Sequence, residues 1–525
     1  MIIEILIFLL TTLFAYYIFT YKRMHYFFEK HDIKYKPGVP VFGNFLKSTF
    51  LRNHFWEDVD DVYKSFPNER YVGIVEGTLP IILIRDLELV KNITVKDFDH
   101  FVDHRLFFGE DIDPLFGGSL FSMRGDKWRD MRMTLSPAFT GSKMRHMMPF
   151  MVDISHNFME HLKGRLNEDV DVLDLVHRYA NDVIASAAFG LEINSLKQKD
   201  NEFYTLGQGI FNFTAIQRFN MFVISQFPGL AKKLNIKLFP EKTTDFFRNL
   251  VASTMEYREK NNVERPDMIQ LLMEAKKGTL KHSGSAENDT VGFATVEESL
   301  KPQGSPLRKW THDDLTAQVF IFFVAGFESS ASVLVMACHE LAINPDVQEQ
   351  LYQEVKDFKS KHGDLTFDNI NELKYLDCVM NETLRKWSPA LILDRVCQKP
   401  YELPPLKEGG LPFMLKPGDI VYNPVNSIHC DPRYYPDPLK FDPSRFSDEN
   451  KHNIEPFSFL PFGSGPRNCI GSRFALLELK VLLYFLVLNF KIVRCAKTTD
   501  PIKLLPKDFN IRAVGGTWVR FQERN

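Results

Sequence analysis

Three groups of residues in this 525-residue chain have types and spacings that could do chemistry. The first is Cys469, at the end of PFGSGPRNCIG (461–471), a loop bent by glycines and stiffened by prolines. The run that follows (470–490) has helical length and Leu, Ala and Glu content, so the sulfur faces the positive end of a helix dipole and its unpaired N–H groups. Both predict a lowered thiol pKa, and Arg467 adds positive charge nearby. With no other cysteine or histidine close in sequence, such a thiolate suits a metal that takes one strong protein ligand, haem iron first among them. A nucleophilic cysteine would need a histidine base aimed at it, and a redox-sensing thiol a more open setting. The second group is AGFESS (325–330), inside an otherwise apolar stretch, 311–345. Gly326 there costs about 1 kcal/mol of helix stability, and an unpaired buried carboxylate costs more. Either the serines back-bond and Glu328 is ion-paired, or the helix opens for a small ligand beside a proton-carrying acid, Glu328, and a hydroxyl, Ser329. The third group is Glu382 and Arg385 of ETLR, an i,i+3 pair that Arg445 of FDPSRF could extend to a cluster.

The elements that must hold these groups are mostly helical. Thr311 with Asp314 forms a capping box that starts the long helix, and Asn344-Pro345 ends it. Helices are also predicted at 171–189, 243–262 and 369–386. Strands are predicted around the Gly77-Thr78 turn in 70–84, and again in 390–423 and 490–522. The fold class is therefore mostly α with small β-sheets (α+β). The polar stretch 277–309 reads as a surface loop. Among 47 Phe, those at 107–121 (Phe107, Phe108, Phe116, Phe121), 211–227 (Phe211, Phe213, Phe219, Phe222, Phe227) and 320–323 (Phe320, Phe322, Phe323) could be core or the walls of an apolar pocket.

Ile5 to Tyr21 is uncharged and closed by Lys22 and Arg23, close to the ~20 residues a membrane span needs. The basic flank follows the apolar run, which sets the bulk of the chain on the cytosolic side of the endoplasmic reticulum. The domain reading is an anchor at 1–21, a basic and Pro/Gly hinge at 22–44 and a catalytic domain at 45–525. On the cytosolic side the six cysteines stay reduced, and five of them read as small buried hydrophobes. A net charge of −3 without a basic stripe excludes nucleic acid as a partner.

Residues 462–471 resemble the cysteine-loop signature FxxGxRxCxG of the cytochromes P450 at each fixed position: Phe462, Gly465, Arg467, Cys469 and Gly471. AGFESS, ETLR and PSRF stand in that family's order, and the resemblance runs from the apolar N-terminus to the last strands. The wording of PFGSGPRNCIGSRFALLE and DDLTAQVFIFFVAGF is most similar to insect family 9, in the clan that includes vertebrate family 3. The resemblance implies the P450 fold, haem b with Cys469 as axial ligand, and Phe462 beside the sulfur. It implies that Arg467, Trp128, Arg132 and Arg395 hold the propionates, with His104 at a further basic position. Glu382, Arg385 and Arg445 would form a structural cluster, and Glu328 and Ser329 the oxygen-side groups. Here the sequence departs from the family, whose acid is usually followed by Thr. Serine keeps the hydroxyl but lacks the methyl that restricts χ1, which predicts electron leakage to peroxide.

The implied reaction is monooxygenation of lipophilic foreign compounds (plant toxins, insecticides) with O2. Electrons would come from a separate NADPH–cytochrome P450 reductase, with cytochrome b5 as a second donor, because about 50 residues after the loop leave no room for a reductase domain. Lys127, Arg129, Lys143 and Arg145 are the candidate docking surface for that acidic partner. Two rival classes are a haem-thiolate isomerase or dehydratase and a non-catalytic haem binder.

Overall fold

The computed structural model describes residues 2–105, 109–211, 213–277, 291–296, 310–407 and 409–524. Phe107, Phe108 and most of the polar stretch 277–309 lie outside the described residues. Helices dominate and three small sheets accompany them, as the patterning predicts. The long helix runs from His312 to Ile343 behind the expected capping box. The Thr311 hydroxyl accepts from the Asp314 N–H (3.1 Å), and the Asp314 carboxylate accepts from the Thr311 N–H (3.0 Å). At 1.5 Å per residue it is about 48 Å long and crosses the whole body.

Two further helices frame the centre: Lys374–Lys386, which carries Glu382 and Arg385, and Ser472–Asn489, which follows the cysteine loop. The largest sheet orders its strands Tyr71–Glu76, Leu79–Ile84, Ile420–Asn423, Leu393–Val396. The first and last pairings are antiparallel and the middle one is parallel. The apolar core has two large parts, one among the helices and one under this sheet. Leu460 belongs to the sheet part, while Phe462 and Ile470 pack on the helical part, so the cysteine loop bridges the two.

The N-terminal helix extends from Ile2 to Glu29, past the predicted limit at residue 21. Its first part presents Ile5, Phe8, Leu10, Phe14 and Phe19 to the surroundings, whereas Met24 and Phe28 are buried. The Phe28 ring is the contact that a Cβ on Gly73 would strike at 2.4 Å, so the end of this helix is seated on the sheet. The Pro/Gly segment beyond it follows a fixed path along the sheet. The Gly73 N–H donates to the Lys34 carbonyl (2.8 Å), and the Asn44 N–H donates to the Val75 carbonyl (2.8 Å). Backbone groups that a free linker would leave to water are here paired with the sheet.

Candidate active site

Local bonds make the cysteine loop. The Cys469 N–H donates to the Phe462 carbonyl (2.8 Å) and the Asn468 N–H to the Gly465 carbonyl (2.9 Å). Gly465 has φ +72, and a Cβ on it would stand 1.8 Å from the Thr94 carbonyl oxygen, so no other residue fits. Of the six thiols only Cys469 belongs to an exposed residue; Cys338, Cys378, Cys397 and Cys430 are buried and Cys495 is half-buried. Four cysteines, not five, therefore fit the reading as buried hydrophobes. Cys469 nevertheless follows two buried residues, Arg467 and Asn468, and burial pushes its thiol up despite the Gly471 N–H and the Arg132 guanidinium. Its accessible surface thus faces a hollow inside the protein. The expectation that backbone dipoles alone lower this thiol is not met, because loss of water outweighs them. The helix itself begins only at Ser472, with Gly471 as its N-cap.

Around the loop lies a buried cluster of positive charge. Arg132 donates to the Asn468 carbonyl (2.8 Å) and side-chain oxygen (2.5 Å), gripping the residue before the cysteine. Arg467 donates to the carbonyls of Val102 (2.9 Å), Leu120 (3.1 Å) and Met123 (2.6 Å) and lies 4.0 Å over the Trp128 ring. Arg395 is fully buried on its strand, donates one N–H to the Asp394 carbonyl (2.7 Å), and has an Nε without a partner. Burial pushes it down to about 10, although Asp394 opposes the shift. Burial also pushes Arg467 well below the arginine range, with Arg395 and Arg132 as like charges nearby and Asp103 and Asp394 in opposition. The His104 Nδ1–H donates to the Asp394 carboxylate (2.9 Å), and the ring stacks on Phe121 at 5.0 Å.

The long helix is unbroken through AGFESS. Ala325 is exposed although the residues around it are mostly buried, and Ser329 on the next turn is partly so. These two positions are more accessible than the helix around them, as Cys469 is within its loop. The Ser329 hydroxyl donates to the Ala325 carbonyl (2.6 Å). Glu328 points elsewhere: Arg512 donates to both carboxylate oxygens (2.7 Å each) and His177 is 3.1 Å away. Burial would raise this carboxyl, but His177 and Arg512 outweigh burial and hold it below the usual range. Gly326 admits Ile184, whose Cδ1 would be 2.9 Å from an added Cβ. So the geometry follows the closed-helix reading, with back-bonded serine and ion-paired glutamate. Next to Ser329, the Ser330 hydroxyl donates to Glu478 (2.6 Å) of the helix after the cysteine, an acid that burial pushes up to about 8.

Behind the loop, Arg385 binds Glu382 through two bonds (2.7 and 2.8 Å), both side chains fully buried. Arg445 approaches Glu382 at 3.6 Å, and Arg385 also donates to the His429 and Pro438 carbonyls (2.8 Å each). His429 carries the brace onward. Its Nε2 accepts the Leu460 N–H (2.8 Å), which assigns the proton to Nδ1 and makes it the donor to the Arg385 carbonyl (3.1 Å). Burial, reinforced by the Arg385 charge, pushes this histidine down to about 3 and keeps it neutral.

Residues 34–516 match the family described as Cytochrome P450. The chain belongs to the cytochrome P450 family. It is 43% identical over 530 residues to Cytochrome P450 9e2 of Blattella germanica, covering 98% of this chain and 96% of that one. It is 42% identical over 513 residues to Probable cytochrome P450 9f2 of Drosophila melanogaster, covering 95% of each. Cytochrome P450 6k1 of Blattella germanica is 34% identical, covering 99% of this chain and 97% of that one. The resemblance to insect family 9 is thus upheld, and the protein is an oxidoreductase of a monooxygenase family that binds haem iron.

The residues present fit that group. Cys469 is exposed while its neighbours Arg467 and Asn468 are buried. Beside it, three guanidinium groups (Arg132, Arg395, Arg467) meet two carboxylates (Asp103, Asp394), and Arg395 has an unsatisfied donor. Such a set accommodates an anionic, iron-bearing ligand. Arg467 and Arg132, expected to reach propionates, spend the donors described above on loop backbone and on Asn468. Gly471 has room for a side chain on one flank, Phe139 being 3.7 Å from an added Cβ. The docking surface is largely neutralised, because Lys127 pairs with Glu110 (2.8 Å), Arg129 with Asp99 (2.7 Å) and Arg145 with Asp368 (2.5 Å). Six site-building residues escaped the sequence reading: Arg512 and His177 around Glu328, His429 behind the loop, and Asp103, Asp394 and Asn468 beside the arginines. Glu478 was visible as a lone acid within an apolar helix.

Proposed function

We propose that the protein is a haem b monooxygenase anchored in the endoplasmic reticulum membrane, oxidising lipophilic foreign compounds with electrons from NADPH–cytochrome P450 reductase. Cytochrome b5 is a second donor. The observation that carries this reading is Cys469: an accessible sulfur enclosed by protein, with the Gly471 N–H and Arg132 beside it. Cys469 would hold the iron through its sulfur, with Phe462 as its neighbour, and Arg395, Arg132, Arg467, Trp128 and His104 would hold the acidic edge of the group. Bound there, haem b supplies the activation of dioxygen.

The chain's own residues do the rest. Ser329 Oγ now donates to a helix carbonyl, and a change of χ1 rotamer turns it toward the accessible side, where it can donate a proton. Glu328, fixed by Arg512 and His177, anchors the helix electrostatically one residue before Ser329 and remains, with it, the oxygen-side pair. Glu382, Arg385 and Arg445 hold the loop's backing through His429 and touch no substrate. Phe121, Phe219 on the helix Ala215–Gln226 and Phe227 at that helix's end are exposed and suit an apolar entrance that meets lipid.

Incubation with NADPH, the reductase and labelled dioxygen is expected to place one labelled atom in a lipophilic product, and a product without label would refute the reading. Replacing Cys469 by Ser should abolish the red-shifted carbon monoxide band of the reduced holoprotein. Ser329→Ala should lower product formed per NADPH consumed, and Ser329→Thr should raise it; equal ratios in all three proteins would remove Ser329 from proton delivery.

A further inference from the structure

Within the polar stretch between the helices Met268–Lys277 and His312–Ile343, residues 291–296 (VGFATV) are firmly seated. Val291 and Ala294 are buried in the helical core. Lys480, itself buried in the helix after the cysteine, donates to the Val291 carbonyl (2.6 Å) and pairs with Asp377 (2.7 Å). The Phe293 N–H donates to the other oxygen of Asp377 (3.1 Å). Gly292 has φ +141, and a Cβ on it would lie 2.1 Å from Asp377, so the strap closes on this ion pair only with glycine. A buried lysine needs acceptors, and the strap provides one of them.

From this seat Phe293 reaches toward the cysteine loop. Its ring lies 5.7 Å from Phe446 and 5.9 Å from Phe459, and Phe459 stacks on His429 at 5.5 Å. His429 is the residue that accepts the Leu460 N–H where the loop begins. We infer that residues 291–296 are a positioning element for Cys469, pressing through Phe293, Phe459 and His429 on the backbone that carries the sulfur. The inference rests on the reading of Cys469 as the haem ligand.

The test is amide hydrogen exchange on purified holoprotein, followed in peptides covering 459–470 and, as reference, 172–184. Phe293→Ala is expected to speed exchange in 459–470 about tenfold, the size of losing two aromatic contacts, and to leave 172–184 unchanged. The share of the red-shifted carbon monoxide band should fall faster on mild warming, and Phe293→Tyr should restore both readouts. Gly292→Ala, which unseats the strap from Asp377, should reproduce the Phe293→Ala pattern. Unchanged exchange in 459–470, or equal acceleration in 172–184, would overturn the inference. A wild-type holoprotein without the red-shifted band would instead refute the ligand reading, and exchange in 459–470 would still decide whether the strap holds the loop.

Discussion

Glu328 and His429 are both buried and titratable, and the protein treats them in opposite ways. Glu328 stays charged because Arg512 and His177 surround it. Removing one partner of such a buried pair strands the other charge, so Glu328→Gln and Arg512→Met should each cost about 3–5 kcal/mol in urea unfolding. The double variant should cost less than the sum of the two, since the stranded charge is gone. Additive losses would mean that the pair is not a unit. His429 stays neutral, its pKa pushed from 6.5 down to about 3. Between those values the unfolded chain holds a proton that the folded chain does not, so stability is complete above pH ~6.5 and falls with pH by about 1.4 kcal/mol per unit. His429→Gln should remove that slope from the difference in denaturant midpoint between pH 6.5 and 4.5. A wild-type slope identical to the variant's would show that the imidazole is not the group being titrated.

Two glycines of the cysteine loop share φ +72 yet differ in surroundings, which gives a contrast at the level of the element. A Cβ at Gly463 meets nothing nearer than Leu393 at 3.6 Å, so Gly463→Ala should cost only the ~1–2 kcal/mol of a left-handed residue. At Gly465 the Thr94 carbonyl is 1.8 Å away, so Gly465→Ala must displace a loop and should abolish haem incorporation. Equal haem content in the two variants would contradict this. The same elements show what sequence could reveal. Glu382 and Arg385 are one helical turn apart, and the capping box at Thr311 is local, so spacing was enough to pair them. Arg512 lies 184 residues from Glu328, and His429 lies 44 from Arg385; both meet their partners only after the sheets and helices have packed. The sequence left both readings of AGFESS open, because a helix opened for ligand and a helix sealed by an ion pair contain the same residues. The partner that distinguishes them is distant in the chain. The strap at 291–296 was hidden for a related reason: its polar flanks mask four apolar residues, Val291, Phe293, Ala294 and Val296, whose seat is built by Lys480 and Asp377.

At the scale of the molecule, the N-terminal helix is two things in one element. Its first part is apolar and outward-facing, long enough with the rest to cross a bilayer, while Met24 and Phe28 belong to the sheet-side core. Removing residues 2–21 should therefore release the protein from membranes and leave its melting temperature nearly unchanged. Removing residues 2–29 should also lower stability by about 2–3 kcal/mol or more, the worth of burying one large apolar side chain such as Phe28. Thermal unfolding and membrane pelleting of the two truncations read these effects separately, and equal melting temperatures would show that the end of the helix adds nothing to the fold.

Because the apolar helix runs without a break onto the sheet, and the Pro/Gly segment is pinned there after it, a bilayer that held this helix would have a rigid handle on the body of the protein. A flexible tether would let the body tumble over the lipid. Such a stem would fix its heading and height, so that the tilt of one helix would set which face lipid-borne molecules meet first and which face stays open to a redox partner.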